Sequence, residues 1–227
     1  MESASPESIR TALGEIAAFG SFFAPHIGGD PAGWHDVKSD YEKGFTDLVK
    51  STAARYGTSE IRIGASIAQL SHAARLWSPV VGTLLTHGVI PDLARLDRAD
   101  EDSRIRLPAL NGWSGGTESQ VTRLLYDMVV CGHLESLAQG LRVKIAPGLL
   151  YGNAASALAE AGRTVVANRP DLAEPALRLV TRLLAHGKLT GKGVITSPRL
   201  EFRRTTCCLY YRVPDGSKCG DCALAEK

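Results

Sequence analysis

The sequence predicts an α+β protein that is mostly α-helical, with a helix-rich body over residues 1–187 and a short C-terminal β/loop segment over residues 188–227. Three observations carry this reading. Apolar residues recur at helical spacing through most of the first 187 positions. Helix start and stop signals punctuate them. After Gly187 that spacing gives way to a basic, glycine-rich connection (Lys188, Gly191, Lys192, Gly193) and then to β-branched and aromatic residues from Phe202 to Val213.

The elements follow in order. Ser5-Pro6 reads as an N-cap with proline at the first helical position, and Ile9, Leu13, Ile16 and Phe23 continue at roughly helical spacing. A second helix is predicted from Tyr41 to Tyr56, with Phe45, Leu48, Val49 and Tyr56 on one face and Gly57 as C-cap. Ile61 and Ile63 fit either a short strand or the start of the next helix. The helical pattern runs from Ser66 to Trp77, restarts at Ser78-Pro79 and ends at Gly88. Residues 96–116 read as irregular, with Ile105 and Leu107 in one short strand. Thr117 and Gln120 make a capping box for a helix carrying Val121, Leu124, Leu125, Met128, Leu134 and Leu137 as far as Gly140. Pro147 begins a helix to about Asn168, and Asp171 caps a last one that ends at His186 and Gly187. Pro214-Asp215-Gly216-Ser217 is a turn signal.

Composition narrows the function classes. The chain has 227 residues, 44% of them hydrophobic and 22% charged, so a packed core is affordable and a disordered chain is excluded. With 26 Lys+Arg against 24 Asp+Glu the net charge is +2, too balanced for a nucleic-acid or polybasic membrane binder. The N-terminal Glu2, Glu7 and Arg10 do not fit a signal peptide. The least polar stretch, Gly64 to Leu85, is interrupted by Gln69, His72 and Arg75, so no transmembrane span is expected. The expected address is the cytoplasm, where thiols stay reduced.

The cysteines carry the chemistry. Cys131 stands alone in an apolar helix and reads as a small core residue. Cys207, Cys208, Cys219 and Cys222 fall within sixteen residues, in a locally positive segment: residues 188–222 hold seven basic and three acidic side chains. The turn at Asp215-Gly216 can fold this segment back so that both pairs meet. Adjacent Cys207 and Cys208 need a sharp backbone bend to serve one site, because neighbouring side chains of a strand face opposite ways. Four thiolates suit tetrahedral zinc or an iron–sulfur cluster. Only one Cys-x2-Cys knuckle is present, which favours the cluster over structural zinc; inert thiols are the remaining reading. The six histidines are scattered, with no metal-spaced pair.

The run Arg203-Arg204-Thr205-Thr206-Cys207-Cys208-Leu209-Tyr210-Tyr211-Arg212, closed by Cys219-Gly220-Asp221-Cys222, closely resembles the C-terminal motif of the FhuF-like ferric siderophore reductases, Cys-Cys-x10-Cys-x2-Cys. The blocks Ile63–Ser66, Ala74–Pro79 and Leu149–Leu158 are similar to the family's helical body, so the resemblance runs from about residue 60 onward. It implies a [2Fe–2S] cluster bound by Cys207, Cys208, Cys219 and Cys222. It also implies one-electron reduction of a ferric, typically hydroxamate, siderophore in the cytoplasm after import, with residues 1–187 as the siderophore-binding part. The rival readings are an electron-transfer or iron-sensing [2Fe–2S] protein and a zinc-stabilised interaction module.

Such a centre must lie near the surface to meet both chelate and electron donor. The glycine-rich run Asn111–Gly116 lacks the G-x-G-x-x-G pattern of a dinucleotide site. Electrons are therefore expected from a ferredoxin, flavodoxin or flavin reductase; Arg203, Arg204, Arg212 and Lys218 either attract that donor or offset the cluster's own negative charge, and loose association to the inner face of the membrane is left open. Backbone amides near Gly220 and the hydroxyls of Thr205 and Thr206 are the expected hydrogen bonds to sulfur, and Tyr210 and Tyr211 the expected shield. Arg75 and Asn153, polar within apolar stretches, are expected to orient the cluster segment or line the substrate pocket. Trp77 is a candidate chelate contact whose default is core packing.

Overall fold

The computed structural model describes residues 1–225. The chain opens with β1 (Glu2–Ser3) and α1 (Pro6–Ile16). The Ser5 hydroxyl accepts from the Ser8 N–H, as an N-cap should, and Ile9, Ala12, Leu13 and Ile16 face the core. Phe23 reaches the same core from the loop beyond that helix. Two short strands follow, β2 (His26–Ile27) and β3 (Trp34–Asp36).

The single helix predicted over Tyr41–Tyr56 is two helices, α2 (Val37–Lys43) and α3 (Thr46–Arg55). Gly44 and Phe45 both take left-handed backbone, with φ of 74° and 54°. A Cβ at Gly44 would strike the Gly140 carbonyl, so this break is where a distant segment crosses. Gly57 ends α3 in left-handed backbone, as predicted.

Ile61 and Ile63 begin a helix, not a strand. α4 runs Ile61–His87 without interruption, and Pro79 sits inside it. The missing N–H costs one helical bond, but Trp77, Val80 and Val81 around it are fully buried. Burial worth about 1.5–3 kcal/mol per large side chain outweighs that loss.

Residues 89–114 are more ordered than their composition suggests. β4 (Val89–Pro91), β5 (Asp97–Ala99), β6 (Ile105–Leu107) and β7 (Gly112–Ser114) build two small sheets, ordered β1-β7-β4 and β2-β6-β5-β3. Three-residue strands show no alternation long enough to read. A buried ion-pair network pins them to the helices: Arg98 on β5 donates to both oxygens of Asp40 (2.6 and 3.2 Å) and to Asp47 (2.6 Å).

Thr117 and Gln120 form the predicted capping box at the start of α5 (Glu118–Tyr126). The helix then widens to π geometry over Asp127–Leu134 before α6 (Glu135–Gly140). This widening turns His133 inward and leaves Cys131 exposed, against the expectation of a core cysteine. α7 (Pro147–Asn168) matches its predicted bounds. α8 (Ala173–Leu184) follows, but Asp171 does not cap it; its carboxylate is taken by the Arg169 guanidinium at 2.7 and 2.9 Å. β8 (Gly193–Ile195) and β9 (Phe202–Arg204) make an antiparallel pair. α4 and α7 pack along each other at the centre, with α3, α1 and β4 on α4 and α8 on α7.

A second buried network lies at the α2–α4 contact. The His133 Nε2–H donates to the Leu93 carbonyl (2.7 Å), so its Nδ1 accepts the Tyr41 hydroxyl (2.9 Å). The Tyr41 oxygen in turn accepts from His72 Nε2 (2.7 Å), which leaves His72 Nδ1 bare. Burial holds His72 well below the usual histidine pKa and brings His133 down to about 4. Both depressed values mean that the unfolded chain binds more protons. Stability is therefore full above pH 6.5 and declines as pH falls toward about 4. His133→Gln removes one of these groups from the titration. The gap in unfolding free energy between it and the native chain should close by about 3 kcal/mol between pH 7 and pH 4, measured by denaturant titration. A constant gap would sink the assignment.

Candidate functional site: the C-terminal thiol cluster

β9 delivers the chain to the cysteines. The Thr205 N–H donates to the Lys192 carbonyl (3.0 Å) and the Arg204 N–H to the Asp221 carbonyl (3.1 Å), which brings the two cysteine-bearing arms together. Leu209 takes left-handed backbone (φ 70°) directly after Cys208. This is the bend that adjacent cysteines require. One 3-10 turn, Tyr210–Arg212, leads into the Asp215-Gly216 turn. Val213 anchors that turn on Ile63 and Ile67 of α4. The return arm closes with the Cys222 N–H on the Cys219 carbonyl (3.0 Å).

Cys208 and Cys219 Sγ lie 3.6 Å apart. They share a proton, so the pair loses its first proton easily and its second with difficulty. The hydrogen bond from Cys219 lowers Cys208 to about 6, against burial, and the same bond together with burial raises Cys219. Burial raises Cys207, opposed by the Leu209 N–H and the Arg204 charge. Cys207 Sγ accepts from the Leu209 N–H (3.3 Å) and Cys222 Sγ from the Leu224 N–H (3.4 Å). Backbone amides serve these sulfurs, as expected, but they come from Leu209 and Leu224 and not from beside Gly220, and the expected hydroxyls do not take part. The Thr205 and Thr206 hydroxyls instead donate to the Gly191 and Gly148 carbonyls (3.0 and 3.3 Å).

Among the described residues no three His, Cys, Asp or Glu side chains converge on a point that would hold one metal ion. The donor set nevertheless fits a sulfide cluster. It has four thiols, N–H donors on the sulfurs, and the guanidinium of Arg204, which is 2% exposed. Its Nε and Nη1 have no partner among the described residues. Buried N–H groups without acceptors are costly, and an anionic sulfur centre beside them would supply acceptors.

α4 and α7 hold this segment. The Asn153 amide, fully buried, donates to the Ser66 carbonyl and to Gln69 Oε1 (both 2.9 Å), and its oxygen accepts from Arg204. The Ser66 hydroxyl donates to the Cys208 carbonyl (2.8 Å). Ser156 donates to Asp221 Oδ2 (2.5 Å), and Arg163 reaches Asp221 Oδ1 (3.3 Å). A Cβ at Gly152 would collide with the Thr206 hydroxyl, so glycine permits this close approach.

A cavity of about 460 Å³ opens beside Cys219-Gly220-Asp221, between the end of α3, α4 and α7. Arg75 and Arg204 line it, with Arg55 and Arg163. Arg75 thus lies where a pocket residue was expected, its Nε on the Ser103 hydroxyl (3.2 Å) and its guanidinium 5.0 Å from the Phe22 ring centre. Asn153 orients the segment. Trp77 does neither: it is fully buried in the core and does not line the cavity. Arg203 donates to the Ala225 carbonyl (3.0 Å), Arg212 pairs with Glu60 (2.8 Å), and Lys218 is exposed. Tyr210 packs edge-on against Tyr56 (5.6 Å), whereas Tyr211 is 44% exposed and shields little. Sequence reasoning missed Ser156, Arg163 and Arg55. The first two share a helical face with Asn153, a polar stripe on an otherwise apolar helix that was legible.

A helical body that clamps four clustered thiols and an unpaired buried cation has the make-up of an iron–sulfur protein. The family model described as FhuF 2Fe-2S C-terminal domain matches residues 204–224. The four cysteines fit its motif, so this segment is similar to the 2Fe-2S domain of the FhuF type, as the sequence resemblance implied. No curated protein matches the chain. No helix among the described residues is long and apolar enough to cross a membrane.

Gly152→Ala should lower both the iron bound per chain and the melting temperature, because the new methyl displaces Thr206. Gly148→Ala should leave both unchanged, since a Cβ there meets Thr206 only at 3.9 Å. Asn153→Leu strands buried groups on Ser66, Gln69 and Arg204. At about 1–3 kcal/mol for each group left unpaired, it should cost several degrees in melting temperature.

Proposed function

We propose that the protein is a cytoplasmic ferric siderophore reductase. In this reading the helix-rich part, residues 1–187, receives the chelate. The segment 188–227, whose last two residues lie outside the described ones, binds the cluster through Cys207, Cys208, Cys219 and Cys222. The observation that carries the reading is the cavity of about 460 Å³ with Cys219-Gly220-Asp221 in its wall. A chelate seated there stands directly against the cysteine segment.

A [2Fe–2S] cluster, when bound, supplies one electron at a time. The chain's own residues do the rest. Ser156 and Arg163 fix Asp221, and through it the Cys219–Cys222 arm, against α7. Ser66 fixes the Cys208 carbonyl on α4. Arg204 places a permanent positive charge beside the thiolates, stabilising them in a dry setting. The chelate's Fe(III), the substrate, gains one electron and becomes Fe(II), which hard hydroxamate oxygens hold less well. Exposed Gly220 and Lys218 put this edge of the site within reach of an external donor such as a ferredoxin, flavodoxin or flavin reductase.

The test uses anaerobically purified protein. About two irons and no zinc per chain are expected, with visible bands that bleach on dithionite and an S = 1/2 EPR signal in the reduced state. Cys207→Ser, Cys208→Ser, Cys219→Ser and Cys222→Ser should each alter or abolish that spectrum, and Cys131→Ser should not. The reduced protein, mixed with a ferric hydroxamate and a trap for Fe(II), should reoxidise as trapped Fe(II) appears. A cluster that stays reduced in the presence of chelate would leave an electron-transfer or sensing protein. About one zinc per chain in colourless protein would leave a structural module.

A further inference from the structure

Two of the cavity's four guanidiniums are already committed. Arg163 is paired with Glu160 and Asp221, and Arg204 is buried against Asn153. The carboxylates that line the cavity, Glu160 and Asp221, are both held by Arg163. Arg55 and Arg75 differ. Neither has a carboxylate within ion-pair distance among the described residues: Arg55 lies 5.1 Å from the centre of the Tyr56 ring, and Arg75 meets the Ser103 hydroxyl and the Phe22 ring. Arg75 is half-buried, and burial lowers its pKa from the usual arginine value; the Asp102 carboxylate, itself paired with Arg104, acts on it only from beyond ion-pair distance and does not offset that loss of water. The rest of the wall is largely apolar, with Phe22, Ile67, Leu70 and Ala74. The lining thus offers two spare guanidiniums, both planar forks suited to carboxylate, on an apolar bed beside the cysteine segment.

We infer that this cavity selects ferric chelates bearing ionised carboxylates outside the iron's own ligand shell, which Arg55 and Arg75 bind. This rests on the reductase reading for the identity of the ligand, and it makes charge at the chelate's periphery the determinant of specificity. Apolar contacts with Phe22 and Leu70 take the chelate's aliphatic spacers, while the guanidiniums take the carboxylates as charge-assisted pairs. A chelate with a cationic tail brings like charge toward Arg55 and Arg75 and is disfavoured.

The experiment separates binding from reduction by using gallium. Ga(III) has the charge and ligand preference of Fe(III) but is not reduced to a divalent ion under these conditions. The probes are the Ga(III) complexes of one linear trihydroxamate in two forms, with a terminal primary amine and with that amine capped by succinic anhydride. The metal shell is the same in both, and only the tail changes, from cation to carboxylate. Calorimetric titration of the cluster-loaded protein should give a Kd at least about tenfold lower for the succinylated form, the size expected of a hydrogen-bonded charge pair. That gap should shrink several-fold in Arg55→Gln, an exposed position where folding is not at risk, and in Arg75→Lys, which keeps the charge but loses the fork. It should also narrow as salt rises. Equal affinities, tighter binding of the amine form, no binding of either complex, or a gap that survives both substitutions would each overturn the inference. The reductase reading is judged apart, by reoxidation of the dithionite-reduced protein with the two Fe(III) complexes. Gallium binding with the expected preference but no reoxidation would sink that reading and leave the binding site standing.

Discussion

The buried amide of Asn153 is where the helical body and the cysteine segment become one structure. It joins α4 through Ser66 and Gln69 and passes to Arg204 through its oxygen. Ser66 then continues to the Cys208 carbonyl. Every partner in this chain is nearly or fully buried. Leaving any one of them unpaired costs more than the bond itself is worth. Such a network specifies one docked position for the segment, which a purely apolar contact would not. Gly152 completes the constraint by letting Thr206 sit against the α7 backbone.

The same network explains why a buried arginine is tolerable. Among the described residues Arg204 has one side-chain partner, Asn153, and two nitrogens without one. A lone buried guanidinium is costly. An anionic sulfur centre beside it would compensate its charge and be stabilised in return. The cysteine segment and Arg204 are therefore each incomplete without the other. Cys208 and Cys222 are buried, whereas Cys207 and Cys219 are only partly so. The arrangement leaves one edge toward solvent and the cavity and closes the other against α4 and α7.

Much of this was legible in the sequence, and the failures have physical causes. Ser5, the Thr117–Gln120 box and Pro147 marked helix starts because capping is a local interaction that local residues decide. The continuous α4 was missed because Pro79 is a local stop signal overruled by burial on all sides. The split between α2 and α3 was missed because its cause is a crossing by Gly140, nearly a hundred residues away. The four three-residue strands between Val89 and Ser114 are too short to carry a period, and the Arg98 ion pairs that hold them are long-range. At the site, the cysteine spacing announced itself. Asn153 and Arg75 stood out as polar residues in apolar runs, whereas Trp77 belongs to the core. Cys131 was misplaced because π geometry turns the residue outward, and no single-residue signal marks a π turn.

The position of the cavity follows from these constraints. A segment docked on α4 and α7 through buried polar groups must stop where those groups stop. Ser156 and Arg163 carry the clamp along α7 to Asp221. Beyond them, between α4, α7 and the end of α3, the space is left to Arg55, Arg75 and an apolar floor. On the cysteine side the wall is Cys219, Gly220 and Asp221. Cys219 itself stands in that wall, so the cavity borders the cysteine segment directly. The clamp that fixes the cysteine segment thereby also fixes where the cavity lies against it.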